Sequence, residues 1–233
     1  MKISILTLFP QMFSGPFDES IVKRAIDKKL VEVEFIDIRK FGIGSHKSVD
    51  DTPYGGGVGM IMRVDVIKTA IDKVLDSSIP KNKQKVILLS AGGEKYSQKK
   101  AKSYSKLSHL ILICGHYEGI DYRIRQFIDE EISIGDYVLT GGEIPAMVIA
   151  DSVARLIEGV LKKDATAIES FSDKNLLEHP QYTKPVDFEG LKVPGVLLSG
   201  NHGEIHDWRE KQANIETKKN RPDLIVEKGL KKK

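Results

Sequence analysis

The chain has 233 residues, 40% hydrophobic and 30% charged, with one cysteine and a net charge of +3. That composition belongs to globular proteins, and the length allows one substantial core plus a smaller appendage. A single cysteine excludes an intrachain disulfide framework and a cysteine zinc site, and no window approaches the ~20 apolar residues of a membrane-spanning helix.

The opening MKISILTLFP lacks the small-residue pattern of a cleaved leader, so it reads as a strand, and a cytoplasmic location is expected. ISILTLF (3–9) is a β-branched strand candidate. Ile21, Val22, Ala25, Ile26 and Leu30 then recur at helical spacing, and VEVEFIDI (31–38) alternates as a half-buried strand. Residues 39–62 read as a glycine-rich loop, and residues 63–75 as a helix with Val66, Ile67, Ala70, Ile71 and Val74 on one face.

KVILLS (85–90) is a buried strand ending at Ala91-Gly92-Gly93. QKKAKSYSKL (98–107) reads as a short basic helix, and HLILIC (109–114) as a second buried strand ending at Gly115. YRIRQFID (122–129) is read as helix, EEISIG (130–135) as strand, and EIPAMVIADSVARLIEGV (143–160) as the longest helix. This alternation argues an α/β domain with a mainly parallel sheet. Beyond Val160 the chain turns polar and irregular, and EIHDWREKQANIETKK (204–219) closes it as a helix. The expected division is a catalytic domain 1–160, an interdomain loop 161–174 and a helical domain 175–233.

Charge is balanced over residues 1–199. The whole excess sits in residues 200–233, with nine Lys/Arg against six Asp/Glu. A basic appendage on a neutral body suggests a polyanionic partner; the plain alternative is a solvated surface.

PYGGGVGM (53–60) invites a phosphate-cradle reading. A P-loop needs a lysine and a Ser/Thr after its last glycine, and here Met60 and Ile61 follow. A dinucleotide fingerprint needs a strand immediately before its glycines, and HKSVDDTPY stands there instead. A structural glycine turn remains. Three apolar runs also end in glycine-containing loops, LLSAGGEKY, LICGHYEGID and SIGDYVLTGGEIPAM. Parallel sheets bind ligands beyond such strand ends, and the third loop could line an adenine pocket with backbone hydrogen bonds.

LFPQMF (8–13), VDDTPYGGGVGM (49–60), CGHYEGID (114–121), IGDYVLTGGEIPAM (134–147) and PGVLLSGNH (194–202) resemble the bacterial tRNA (guanine-N1)-methyltransferases of the TrmD type, in order from Met1 to about Asp223. The resemblance implies a SPOUT-type parallel sheet with a deep trefoil knot, an obligate homodimer, S-adenosylmethionine as methyl donor and tRNA as substrate. It also implies that PYGGGVGM lies near the dimer interface and the nucleic-acid pocket. Carried across, the donor pocket comprises Leu89, Ser90, Gly115, Tyr117, Glu118, Gly119, Ile134, Gly135, Asp136, Tyr137, Val138, Leu139, Gly141, Gly142 and Pro145. For Leu89 and Leu139 the plain alternative is core packing, and Cys114 is assigned packing alone.

N1 of guanine is protonated at neutral pH, so a base must remove that proton. The family places an Asp before Ser-Phe in the interdomain loop; here the segment is AIESF, with Glu169 in that place and Asp164 and Asp173 as alternatives. The family's arginine matches Arg155, whose guanidinium would stabilise charge on guanine O6. An ion pair with Asp151, four residues earlier, is its alternative. His202 and His206 lack the HExxH arrangement and a third ligand, so no resident metal is expected; magnesium would accompany the substrate. Tyr104, His116, Tyr182 and Trp208 are candidates for stacking on bases, Trp208 also for the domain core, and Lys211, Lys218, Lys219 and Arg221 for phosphate contacts. The alternative functions are methylation of another RNA and an RNA-binding homologue impaired in catalysis by the Asp-to-Glu change.

Overall fold

The computed structural model describes residues 1–162, 165–166, 168–172 and 176–225. The chain divides into two compact units, Met1–Lys162 and Lys163–Lys233. In chain order the first unit contains β1 (Lys2–Thr7), α1 (Ser20–Asp27), β2 (Glu32–Asp37), the short strands β3 (Asp50–Asp51) and β4 (Ile61–Met62), and α2 (Val64–Val74). There follow β5 (Gln84–Lys95), α3 (Gln98–Tyr104), β6 (His109–Cys114), β7 (Glu130–Ser133) and α4 (Glu143–Ala154).

Five strands form one sheet in the order β2-β1-β6-β5-β7, and all pairings are parallel. Central β6 is buried at every residue, as a parallel strand covered on both faces must be. Side-chain alternation divides the core accordingly. Ile3, Ile5, Leu110, Leu112 and Cys114 pack with residues of α1 and α4, while Leu6, Ile111 and Ile113 pack with α2.

Three expectations are corrected. β5 continues through Ala91-Gly92-Gly93, where a loop was expected; its register against β7 shifts between Leu89 and Glu94, and a Cβ on Gly93 would sit 2.4 Å from Ile132 N. The glycine lets the bulged strand approach its neighbour's backbone. YRIRQFID forms only a 3₁₀ turn over Tyr122–Gln126, capped by Asp121, because the Asp129 amide already donates to Val86 O (2.8 Å) as the chain enters β7. The long helix stops at Ala154 instead of reaching Val160. Beyond it the amides of Leu156, Ile157 and Val160 reach only three residues back, and Gly159 takes φ +84°.

The second unit contains the hairpin β8 (Asp187–Phe188) and β9 (Leu191–Lys192), and the helix α5 (His202–Asn220). Asn201 caps α5, its side-chain oxygen accepting from the Gly203 and Glu204 amides at 3.1 and 3.4 Å. Among the described residues no helix is long and apolar enough to cross a membrane.

Candidate active site

A cavity of about 330 Å³ opens beyond the carboxyl ends of β6 and β7 and beside the bulge of β5. Leu89 and Ser90 enter it from β5, and Gly115, Tyr117, Glu118 and Gly119 from the loop after β6. The segment after β7 adds Ile134, Gly135, Tyr137, Val138 and Leu139, and the approach to α4 adds Gly141, Gly142 and Pro145. Asp136 is the exception among the residues expected there. Its side chain is exposed and its carboxylate pairs with Lys95 at 3.4 Å.

Close backbone packing explains the glycines. The Gly142 amide donates to Gly115 O at 2.9 Å, and a Cβ on Gly142 would stand 2.6 Å from Cys114 Cα. Only glycine lets the segment after β7 lie across the end of β6. Tyr117 on the opposite rim holds φ +57°, left-handed backbone that costs a non-glycine residue roughly 1–2 kcal/mol. Such strain concentrates where a ligand is clamped.

The electrostatics rest on a network that sequence reading missed. Glu143, only 1% exposed, opens α4, where backbone amides favour a carboxylate. Its Oε1 accepts from Thr7 Oγ1 at 2.7 Å, and its Oε2 lies 3.0 Å from His116 Nε2. With both oxygens accepting, Nε2 carries the imidazole proton. Thr7 also accepts from the Phe9 amide at 2.9 Å, and the Phe9 ring meets His116 edge-on at 4.8 Å. The available signal was an acidic residue directly after Gly-Gly, followed by the apolar run Ile144–Ala150. His116 is thus a held member of the cavity wall. Arg125 and Glu131, also at the cavity, form a bidentate pair with both contacts at 2.8 Å.

The glycine-rich segment adopts the dihedrals its composition suggested, with positive φ at Gly55, Gly56, Gly57 and Gly59. What approaches it within the chain is the cavity rim. Glu118 N–H donates to Met60 O (3.1 Å), Met62 N–H to Gly119 O (2.9 Å), and a Cβ on Gly59 would stand 2.5 Å from Glu118 Cγ. The segment is therefore fastened to the loop that carries Tyr117 and Glu118.

Arg155 is the half-buried residue at the end of α4, its amide bonded to Asp151 O at 3.1 Å; it does not line the cavity. Glu169, in the second unit, is half-buried at the start of a turn in which Ser172 N–H donates to its carbonyl (3.1 Å) and Phe171 takes φ +62°. Asp164 and Asp173 lie outside the described residues. Tyr104 is not available for stacking, because it is buried and its hydroxyl donates to Glu130 at 2.6 Å. Cys114 is fully buried and desolvation pushes its thiol pKa well up, as its packing role requires. His202 and His206 are exposed on α5, as are Lys211 at its middle, Lys218 and Lys219 in its last turn and Arg221 just beyond it. Among the described residues no group of three His, Cys, Asp or Glu could hold a metal ion.

The fold is that of an α/β protein with an open parallel sheet, and its cavity lies where such sheets commonly bind small ligands. The chain belongs to the tRNA (guanine-1)-methyltransferase TrmD family, whose sequence profile matches residues 1–227. Similar curated proteins are the tRNA (guanine-N(1)-)-methyltransferases of Carboxydothermus hydrogenoformans, at 55% identity over 100% of this chain and 90% of the relative, and of Geobacillus kaustophilus, at 53% over 99% and 93%. That of Dictyoglomus turgidum is 52% identical over 99% of this chain and 92% of its own.

Proposed function

We infer that this chain transfers the methyl group of S-adenosylmethionine to N1 of the guanosine immediately 3′ of the anticodon in tRNA. The observation that carries the reading is the cavity, built at the strand ends by segments of the sequence that mark the family. At about 330 Å³ it is within the range of small-ligand pockets. The donor set fits: Leu89, Ile134 and Leu139 supply apolar walls for an adenine ring, and the glycine-rich segments leave main-chain groups exposed to its edge. Ser90 and Glu118 are the polar side chains proposed to meet the ribose and amino-acid portions. When bound, S-adenosylmethionine supplies an electrophilic methyl group.

The chain's own residues prepare the nucleophile. Glu169 takes the N1 proton as general base, and the Arg155 guanidinium offsets the charge that then accumulates on O6. Magnesium enters with the tRNA. Residues 175–233, with exposed lysines on α5, bind the RNA in the cytoplasm. The fold is knotted: the Gly142–Gly115 bond, which draws the chain after β7 across the end of β6, supports that topology. The working form is a homodimer. Ile144 and Val148, one turn apart on α4 and 47% and 42% exposed, present large apolar groups that a second copy would cover, together with Val138.

The test is radiolabelled methyl transfer to a leucine tRNA transcript carrying guanosine or adenosine beside the anticodon. Label confined to the guanosine transcript and recovered as 1-methylguanosine supports the reading. Absence of label on both transcripts, with donor binding intact, overturns it in favour of an RNA-binding protein.

A further inference from the structure

His116, a sequence candidate for stacking on a base, lines the donor cavity instead, and its ring is fixed from three sides. Its backbone amide donates to Met62 Sδ at 3.3 Å, the Phe9 ring meets it edge-on at 4.8 Å, and its Nε2 lies 3.0 Å from Glu143 Oε2. A Cβ on Gly141 would stand 2.2 Å from that Nε2 and 2.5 Å from Glu143 Oε2. The histidine–carboxylate bond therefore runs directly beneath a glycine of the cavity wall, where any side chain would displace it.

That bond also decides where the ring keeps its lone pair. Glu143 Oε1 already accepts from the Thr7 hydroxyl, and Oε2 accepts from His116, so the imidazole proton sits on Nε2 and Nδ1 is an acceptor. No described residue meets Nδ1. Among the described residues no buried side-chain nitrogen or oxygen lacks a partner, so Nδ1 is open rather than buried, consistent with the 18% exposure of the side chain. A carboxylate behind one ring nitrogen orients the ring and raises the basicity of the other. An oriented, strengthened and open acceptor on a cavity wall fits an N–H or O–H of the occupant, with little ordering left to be done on binding.

We propose that His116 is a donor-binding residue whose Nδ1 accepts a hydrogen bond from S-adenosylmethionine, with Glu143 as the positioning residue that fixes its tautomer. The ligand carries two suitable sources, the ribose hydroxyls and the ammonium of its amino-acid portion. The inference rests on the reading of the cavity as the donor site.

The test uses the full-length protein labelled with 15N at histidine, and S-adenosylhomocysteine as a stable ligand that keeps both sources. Long-range proton–nitrogen NMR reads the tautomer directly, and the His116 signals are assigned by their loss in His116→Gln. The expected free protein shows His116 protonated at Nε2 only, with an Nδ1 resonance that moves as S-adenosylhomocysteine saturates the site. Calorimetry gives the second reading. His116→Gln can still donate to Glu143 but has no acceptor in the place of Nδ1. Its Kd for S-adenosylhomocysteine should rise by about 5- to 150-fold, the cost of leaving one ligand group unpaired, with kcat at saturating donor unchanged. 5′-Methylthioadenosine, which lacks the amino-acid portion, assigns the partner: a matching loss of its affinity in His116→Gln points to a ribose hydroxyl, and an unchanged affinity points to the ammonium. A proton on Nδ1 in the free protein, an Nδ1 resonance unmoved at saturation, or a His116→Gln Kd within twofold of wild type overturns the proposal. A wild-type protein that binds no S-adenosylhomocysteine overturns the donor-site reading and this inference with it, whereas binding with a silent Nδ1 overturns only the inference.

Discussion

Replacing Gly142 by alanine tests whether the donor cavity depends on close backbone packing. The added Cβ would stand 2.6 Å from Cys114 Cα and 2.9 Å from Gly115 N, main-chain atoms at the end of fully buried β6. The residue's φ of −83° suits alanine, so the whole penalty is steric. A side chain could rotate away from such a clash, but a central strand cannot. Overpacking of this kind costs about 1–3 kcal/mol. At about 2–4 °C per kcal/mol for a chain of this size, Tm should fall by roughly 2–12 °C. The strain is relieved by pushing the 140–142 segment outward, which breaks the Gly142–Gly115 bond and widens the cavity. Donor affinity then falls by about tenfold for every 1.4 kcal/mol of binding energy lost. Gly92→Ala is the control, because its nearest neighbour is Ser90 Oγ at 3.8 Å. Thermal denaturation and calorimetric titration with S-adenosylmethionine read both effects. A Gly142→Ala protein with wild-type Tm and Kd would refute the argument, as would a Gly92→Ala protein damaged to the same degree.

Glu169→Gln should lower kcat by about two to four orders of magnitude at unchanged donor Kd, the range for a lost general base; unchanged turnover in single-turnover assays would remove Glu169 from that role. Glu143→Leu leaves the fully buried Thr7 hydroxyl without its acceptor, at about 1–3 kcal/mol, and releases the His116 ring, which is 18% exposed and costs less. Glu143→Gln should cost much less, since an amide oxygen and a tautomer change can satisfy both partners, and urea denaturation separates the two variants. His109 is fully buried, its Nδ1 2.8 Å from Gln84 Oε1 and its Nε2 2.8 Å from Ser4 Oγ, and desolvation lowers its pKa below the ordinary 6.5. Its contribution is therefore complete above about pH 6.5 and declines as pH falls from there toward the lowered folded value. His109→Gln should flatten the Tm–pH curve in that window, and a curve parallel to wild type would contradict the assignment. Glu130 is held at about 2: burial works against this, but Lys100, Lys85 and the Tyr104 hydroxyl outweigh it. Stability from that cluster should persist down to about pH 4.5 and be lost below it, and Glu130→Gln should remove that acid limb.

The sheet was legible because its strands are continuous apolar runs of one strand's length. Apart from His109, HLILIC contains nothing that prefers water, so it reads as a central strand covered on both sides. The errors fell where neighbours decide. Nothing local marks Gly92-Gly93 as strand, because the bulge exists to fit β7. YRIRQFID has helical spacing, but the Asp129 amide is already committed to Val86. The residues that line the cavity belong to the family's motifs, and Asp136, inside one of them, turns its side chain outward.

By itself the sequence determined the alternation of strand and helix, the parallel class of the sheet, the strand ends at which a ligand could sit and, through its motifs, the family. These follow from local pattern, because apolar periodicity and glycine placement are fixed along the chain. Tertiary structure alone decided which loops share one cavity and what holds them there. It joined Thr7, His116 and Glu143 from three distant stretches, and fastened Met60 and Met62 to the rim at Glu118 and Gly119. A hydrogen bond depends on separation in space, and a carboxylate's partner 136 residues away leaves no periodic trace in the chain.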